Sequence, residues 1–423
     1  MYSYIKPNDR IRYSIIIANS LDHYDAALYA FMLPIILNLF VSSNIDLAFM
    51  GLLSGGLLMR PMAAIVCRKL ITLYPQYKLL RMSLIGCSFA TFCMGLLPIE
   101  SMASTNLFCY LFLLRILQSF FSALESSIAD IYLMQISRKE HYASIGGCYY
   151  AGTLAGYIFA SLIASFVATS SSPYLYWRLA FLLGIIPGLI GLTLRFSTVE
   201  NKNTRNLAQD NENVTSIFTS LWKNRIKLLR IFCAKGISGL TYYFVFVFHL
   251  KFIPEATAIS KPEIYSWNFI LLIIDMILLI FMGKLCDKFN LKNWLIFHCI
   301  FIGMAIVPYY YFLIDDTFMN LVISDLILVV AAVGFSSGVM PWLMQETKNC
   351  EDKDKYLLIN FGGFLGTEVL GRLTPGICMA LYHYSNNSII PGLYFLFILV
   401  CATCCAFYGA TEYKKSEQTY VYR

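Results

Sequence analysis

Residues 13–40 read YSIIIANSLDHYDAALYAFMLPIILNLF, an apolar run that holds Asp22, His23 and Asp25 near its middle. A helix that crosses a bilayer needs about 20 mostly apolar residues, and this run is long enough. The run is too long for a secretory signal core and carries acids that such a core lacks. A carboxylate inside a membrane is costly unless it is paired, solvated or protonated, so two of them in one span indicate a functional site.

The composition extends this interpretation to the whole chain. Hydrophobic residues make up 58% of the 423 residues and charged residues 13%, whereas a soluble domain carries about 25% charged residues. Most of the surface must therefore face lipid, and the spans must be helices because their backbone polar groups need partners within the segment. The apolar runs predict twelve spans, at roughly 12–40, 46–67, 79–98, 106–136, 142–169, 174–195, 226–252, 265–283, 291–314, 317–345, 356–382 and 389–410.

One polar segment, residues 197–224, divides these spans six and six. The predicted domains are thus an N-terminal bundle (1–196), a cytoplasmic linker (197–224) and a C-terminal bundle (225–423). Two bundles related by an internal repeat are typical of alternating-access carriers. Of the 32 Lys and Arg residues, nearly all fall in alternate segments, which places both termini in the cytoplasm. The exceptions near outer loops are Arg178, Lys251 and Lys261, and those within spans are Arg60, Arg115, Lys235 and Arg372.

The polar residues of the first span follow helical spacing. Asp22, Asp25 and Tyr29 fall at i, i+3 and i+7, so they share one face of the helix. A lipid-facing position would be penalised at each of them, and we expect the face to point into the bundle or a cavity. The functional interpretation is proton acceptance and contact with a solute. The alternative is a hydrogen-bonded structural pair near the membrane edge.

Several short motifs, taken together, resemble one family. The first span matches E-x-Y-D-x-x-L-Y-x-x-x-x-P, with an aspartate at the first acidic position. The matching residues are Asp22, Tyr24, Asp25, Leu28, Tyr29 and Pro34, followed by Arg60-Pro61, Arg115 with Gln118 and Glu125, Trp177-Arg178, and Gly283 with Asp287-Lys288. This set resembles the metabolite:proton symporters of the major facilitator superfamily, which include proline/betaine, shikimate and α-ketoglutarate carriers.

The resemblance implies an all-α integral membrane fold of twelve transmembrane helices in two six-helix bundles. It implies a secondary active transporter rather than an enzyme, in a bacterial inner membrane, that carries protons together with a small polar organic solute. Such a solute is a zwitterion such as proline or betaine, or an organic acid. Asp25 and Glu125 are the predicted proton-linked acids, with Asp22 beside them. Tyr24 and Tyr29 are expected near the solute.

Arg115 is predicted to belong to the same charge network. A guanidinium stays charged, so it needs a counter-ion, which Asp22 or Asp25 of a neighbouring span would supply. Gln118 and Glu125 lie seven residues apart and share a helix face. The network would tune the acids or hold a substrate carboxylate. The alternative is a packing tie between helices of one bundle.

The second half offers further candidates. Glu368 and Arg372 lie at i, i+4 in the eleventh predicted span, and an intrahelical ion pair is the preferred interpretation. Asp275 is an isolated buried acid, and the ring faces of Tyr242 and Tyr243 suit a cation or zwitterion. The resemblance assigns Arg60, Asp287 and Lys288 to gating loops. The matching loop at residues 68–78 lacks the family's aspartate, which predicts loss of the usual inner-side contact.

The remaining features limit the partners. No GxxxxGK[ST] segment is present, so ATP-driven transport has no support. The 13 cysteines lie scattered without a CxxC pair, and no metal or cofactor is expected. The basic residues separate the spans and do not form a nucleic-acid patch. The expected partners are the lipid bilayer, protons and a solute, with the monomer as the working form. A membrane-embedded enzyme and a degenerate carrier acting as a sensor remain alternatives.

Overall fold

A computed structural model of the chain describes residues 7–37, 59–98, 104–170, 173–186, 188–189, 217–314 and 317–407, and every secondary-structure element in these ranges is a helix. Six of the described helices are long and apolar enough to cross a membrane. They are Asn106–Gln135, Lys139–Thr169, Arg225–Ala256, Lys261–Cys286, Phe318–Glu346 and Ile390–Phe407.

The chain divides into two compact units. Unit 1 comprises Met1–Val214 together with Cys350–Phe361, and unit 2 comprises Thr215–Asn349 and Gly362–Arg423. Of the predicted linker, residues 197–216 lie outside the described ranges. Its last part contains a short helix at Ile217–Lys223.

Unit 1 contains helices that follow the first six predicted spans, although residues 46–58 of the second and 190–195 of the sixth lie outside the described ranges. The helices are α1 (Pro7–Leu37), α2 (Met59–Leu73), α3 (Gln76–Gly95), α4 (Ser104–Gln135), α5 (Tyr142–Thr169) and α6 (Pro173–Leu182). The helix α1 packs along α5, and α4 packs against α2 and α3.

Small residues allow α1 and α5 to approach closely. A Cβ atom at Gly156 would collide with the backbone oxygen of Ser20, and one at Gly152 would press on the backbone oxygen of Ile16. Glycine is therefore required at Gly156 for this packing, as in other small-residue contacts between membrane helices. The contact fixes the rotation of α1 and hence the direction of its polar face.

Unit 2 contains the remaining helices and two π turns. The helices are α7 (Ile217–Lys223), α8 (Arg225–Tyr243), α9 (His249–Ala256), α10 (Lys261–Cys286), α11 (Leu291–Ile314), α12 (Phe318–Glu346), α13 (Asp352–Gly366, whose first residues belong to unit 1), α14 (Thr374–Ser385) and α15 (Ile390–Phe407). One π turn, Phe244–Phe248, joins α8 to α9, and the other, Thr367–Arg372, joins α13 to α14. The second turn packs on α8, where Gly371 meets the backbone of Gly239.

Candidate functional site

The polar face of α1 is buried within unit 1. Asp22, Asp25 and Tyr29 have exposed fractions of 0%, 1% and 0%. Their helical spacing aligns them, and the contact of α1 with α5 turns this face away from the surface of the unit. Neither carboxylate oxygen of Asp25 accepts a well-formed hydrogen bond from the described residues. The three side chains form the first part of the candidate site.

Hydroxyl groups accompany two of the buried acids. Ser122 Oγ donates a hydrogen bond to Asp22 Oδ2 over 2.7 Å, and Ser83 Oγ donates one to Glu125 Oε2 over 2.7 Å. Glu125 lies in α4 and has an exposed fraction of 0%. A hydroxyl can rotate to donate to a carboxylate or to accept from a carboxylic acid. These partners therefore suit an acid that changes its protonation state. We call Asp22, Asp25 and Glu125 the acid cluster.

Arg115 joins α4 to α1 beside the acid cluster. Its Nη1 atom donates to Gln118 Oε1 over 2.7 Å and to the backbone oxygen of Ala26 over 3.3 Å. Its guanidinium lies 4.4 Å from the centre of the Tyr29 ring, a cation–π distance. Gln118 in turn donates to the backbone oxygen of Asp25 over 3.1 Å. The predicted network is thus assembled from an amide, backbone oxygens and a ring face as well as from charges.

Tyr24 and Arg60 are the other predicted residues of unit 1, and Arg60 interacts electrostatically with His23, the neighbour of Asp22. Tyr24 is buried and its ring packs on Phe159 at 5.2 Å, within an apolar cluster. Arg60 lies half-buried near the start of the described part of α2. The structure does not bring Tyr24 into hydrogen-bond contact with the acid cluster. Tyr24 is next to Asp25 in the sequence, and neighbouring residues of a helix point to different sides.

The second half contains the expected ion pair. Arg372 Nε lies 3.1 Å from Glu368 Oε2, and it also donates to Tyr243 Oη over 3.1 Å. All of this occurs at the π turn, which packs against α8. Tyr242 lies beside Tyr243, with ring centres 5.5 Å apart, and stacks against Phe246. The structure therefore groups four of the predicted residues of unit 2.

The other predicted residues of unit 2 lie apart from this group. Asp275 is buried midway along α10. Asp287 is the C-cap of the same helix and is half-buried, while Lys288 beyond it is exposed. The two loop residues thus lie at a helix end, as the sequence motif implies for a loop.

Unit 1 holds a charge contact that sequence reasoning missed. Arg68 of α2 forms an ion pair with Asp354 of the 350–361 segment, with Nη2 and Oδ1 3.0 Å apart. Gln76 donates to Tyr356 Oη over 2.8 Å, and Asn360 donates to the backbone oxygen of Ser127 over 2.8 Å. An acid far along the chain thus meets the basic end of α2, whose own loop lacks one. No local pattern links residues separated by 286 positions.

Unit 2 holds a second feature that sequence reasoning missed. His249 Nδ1 lies 3.2 Å from Asp325 Oδ1, and Trp267 Nε1 donates to Asp325 Oδ2 over 2.9 Å. The residues come from α9, α12 and α10. A sequence signal existed, since an acid or a histidine inside an apolar span is a functional candidate by default.

The described residues form apolar helices that hold acids and a guanidinium inside a bundle, an arrangement typical of secondary transporters. The chain belongs to the Major Facilitator Superfamily, which its sequence matches over residues 15–356. Members of this superfamily have the twelve-helix fold, and the predicted fold class and transporter class are confirmed. The function is transport and not enzymatic catalysis.

Named relatives and solved structures are similar over most of the chain. It is 22% identical to the glycine betaine/proline/ectoine/pipecolic acid transporter of Dickeya dadantii, over 91% of this chain and 79% of the relative. It is 24% identical to a putative proline/betaine transporter of Staphylococcus aureus, over 91% of this chain and 84% of the relative. Among solved structures, the proton:xylose symporter XylE matches with a TM-score of 0.72 at 14% identity, covering 95% of this chain and 94% of that one.

Proposed function

We propose that the protein is a proton-coupled symporter of a small polar organic solute, working by alternating access. The solute is a zwitterion such as proline or betaine, or an organic acid. The printed names of the relatives support this solute class. Their bacterial sources and the positive charges of the alternate segments support a bacterial inner membrane with both termini in the cytoplasm.

The observation that carries the proposal is the acid cluster itself. Three carboxylates have exposed fractions of 0–1%, and serine hydroxyls donate hydrogen bonds to Asp22 and Glu125. Keeping carboxylate charges inside a membrane is costly, and taking up a proton lowers that cost. Each proton taken up lowers the negative charge of the cluster by one and so eases its reorientation within the membrane. Release of the proton on the other side restores the charge and resets the carrier.

The contacts support a role for each residue of the site. Asp25 and Glu125 carry the coupled proton, and Asp22 shares the same buried space. Arg115 lies at hydrogen-bond distance from Gln118 and on the Tyr29 ring, and it holds the carboxylate of a zwitterion or organic acid. Gln118 accepts a hydrogen bond from Arg115 and donates one to the backbone oxygen of Asp25, so a movement of Arg115 would displace α1 at that point. Solute and proton thereby act on one helix.

Residues of unit 2 complete the proposal. The ring faces of Tyr242 and Tyr243 suit the cationic end of a zwitterion. The Glu368–Arg372 pair, 3.1 Å apart, holds the second tyrosine in place through its hydroxyl. Asp275 is a further buried acid of the same unit, and Arg60, Asp287 and Lys288 act in the loops that gate the carrier.

Uptake into liposomes tests the proposal. Purified protein is reconstituted, and labelled glycine betaine, proline, α-ketoglutarate and shikimate are offered with and without an acidic outside solution. We expect at least one solute to accumulate, and accumulation to depend on the proton gradient. An ionophore that removes the gradient is the control and should leave only equilibration. Accumulation that ignores the gradient would refute proton coupling, and flux of no tested solute would favour a degenerate carrier.

A further inference from the structure

We propose that His249 and Asp325 of unit 2 form a second proton-binding site, separate from the acid cluster of unit 1. Their Nδ1 and Oδ1 atoms lie 3.2 Å apart, and the residues have exposed fractions of 2% and 1%. A proton placed between these atoms would be shared by a buried base, His249, and a buried acid, Asp325. A role of this site in transport rests on the proposed function, whereas the binding of a proton at the site does not.

The surroundings of the pair are aromatic. The imidazole of His249 stacks on the ring of Tyr309 at 4.6 Å with an angle of 3° between the planes. Phe244 and Phe248 of the π turn lie at 5.0 and 5.9 Å from the same imidazole. These rings pack against the imidazole, and both members of the pair are buried. The ligand that fits is a proton, which requires no volume of its own.

The described polar groups in contact with the pair come from α10, α11 and α12. Asp325 belongs to α12, and Tyr309 belongs to α11 with Tyr310 behind it at a ring distance of 5.2 Å. The helix α10 contributes Trp267, which donates a hydrogen bond and does not titrate. Tyrosines are neutral at physiological pH. The proposal therefore assigns the proton to the imidazole and the carboxylate.

Charge counting shows why one proton is held. A neutral imidazole beside a carboxylate carries a net charge of −1 in apolar surroundings, and one added proton makes the pair neutral. A second proton would leave an imidazolium beside a neutral acid. Two such closely coupled groups titrate as a pair, so the proton belongs to both.

Unmade hydrogen bonds provide a second observation. His249 Nδ1 and Asp325 Oδ1 face each other, and neither has a well-aligned hydrogen-bond partner among the described residues. A buried polar atom without a partner is costly. A single proton between the two atoms satisfies both of them at once. The pair thus carries the geometry of a proton site as well as its charge.

Proton counting on the purified protein tests the binding directly. Potentiometric titration is performed between about pH 5 and pH 8.5, the range in which histidine charge changes occur. The samples are the wild type, His249→Gln, Asp325→Asn and the double variant. We expect each variant to exchange one proton fewer per chain than the wild type. Each single variant leaves a lone buried group that stays neutral, so the double variant should lose no more than the singles.

Two further variants serve as controls. His298→Gln removes another buried histidine of unit 2, whose ring contacts Trp294, and the proton count should equal that of the wild type. Trp267→Phe removes a hydrogen bond of Asp325 but keeps both titrating groups, and the proton should be retained. An Asp325→Asn protein that exchanges as many protons as the wild type would overturn the proposal. So would a double variant that loses two protons.

A spectroscopic measurement covers the case in which the single variants fail to fold. The variant that replaces the other four histidines keeps the pair intact, and ring-labelled histidine then reports on His249 alone; the replaced residues are His23, His141, His298 and His383. Its pH-difference infrared spectrum should show the labelled imidazole gaining a proton, with a matching change at a carboxyl group. A labelled ring that is unchanged over the whole range would refute the site.

Transport measurements separate this inference from the proposed function. Solute-driven proton uptake is recorded in liposomes that contain the wild type or Asp325→Asn. A wild type that moves solute without protons, but still shows the titrating pair, would defeat the proposed function and leave the site standing. If the wild type takes up protons with solute, and Asp325→Asn exchanges as many protons as the wild type in the titration, the proposed function stands and the second proton site is refuted.

Discussion

The two units surround their buried acids with different chemistry. In the acid cluster of unit 1, Ser122 donates to Asp22 and Ser83 donates to Glu125, each over 2.7 Å, and the His23 imidazole lies 3.9 Å from Asp22. In unit 2, two acids of α12 and one acid of the second π turn lie beside bases: Glu346 with Arg230 at 2.6 Å, Asp325 with His249 at 3.2 Å, and Glu368 with Arg372 at 3.1 Å. A carboxylate beside arginine stays charged, whereas one beside hydroxyls or histidine can exchange a proton. We therefore expect the acids paired with arginine to stabilise the bundle and the acids beside hydroxyls or histidine to exchange protons.

The largest expected effect comes from Asp25→Asn, which removes an exchanging acid from unit 1. We expect loss of proton-driven accumulation with retained exchange of labelled for unlabelled solute, because the neutral amide mimics the protonated acid. Liposome uptake and counterflow measure the two activities. Glu263→Gln, an exposed helix-capping acid, is the matched control and should accumulate solute normally. Full accumulation by Asp25→Asn would remove this residue from the mechanism.

A smaller effect is expected from Gly156→Ala, which disturbs the packing that buries the acids of unit 1. The new methyl group would meet the backbone oxygen of Ser20, so α1 must shift. Overpacking of this kind costs about 1–3 kcal/mol and should lower the apparent melting temperature. Gly376→Ala is the control, since no atom lies within 4 Å of its new methyl group. Equal melting temperatures for the two variants would show that α1 does not depend on this contact.

The third prediction sharpens the contrast by removing a base from unit 2. Arg372→Gln removes the guanidinium that lies 3.1 Å from Glu368, and we expect a loss of about 2 kcal/mol in stability. The estimate lies below that for a fully buried pair because the Arg372 side chain is 34% exposed. The double variant with Glu368→Gln should melt above the single one, because no uncompensated charge remains. A double variant that melts lower would contradict a structural ion pair.

The smallest effect concerns the Arg68–Asp354 pair of unit 1, which departs from the hydroxyl pattern. Both side chains are mostly buried, with exposed fractions of 11% and 15%. A double-mutant cycle with Arg68→Gln and Asp354→Asn should give a coupling free energy of about 1 kcal/mol. Apparent melting temperatures measure it. Thr72→Ala in the same helix is a control and should show no coupling with Asp354→Asn. If the effects of Arg68→Gln and Asp354→Asn on stability simply add, the contact contributes nothing.

The twelve-helix fold and much of the first span could be predicted from sequence, because apolar length and helical spacing are local properties. The sequence spacing of Asp22, Asp25 and Tyr29 was sufficient to place them on one face of a helix. The serines that donate hydrogen bonds to the acids could not be found in this way. Nothing in the sequence distinguishes Ser83 and Ser122 from other serines, and only the packing of α3 and α4 brings them to the acids. Arg68 and Asp354 are 286 residues apart, and only the fold brings them together.

The His249–Asp325 pair shows a different limit. Each residue interrupts an apolar span and carried a signal by itself, but nothing in the sequence joined the two. The roles of the predicted site residues stay predictions, because burial and hydrogen bonds describe where Asp25 or Arg115 lies and not when a proton moves. Transport and titration measurements supply that information.

The π turn at Phe244–Phe248 has a consequence for comparing this chain with its relatives. A π turn amounts to an α-helix with one surplus residue, and it rotates everything that follows by roughly a quarter of a turn or more. His249 is the first residue after that insertion, so its orientation toward Asp325 depends on it. A homologue without the surplus residue would present a neighbouring side chain at this point. Alignments of this stretch therefore require a one-residue gap before positions are equated.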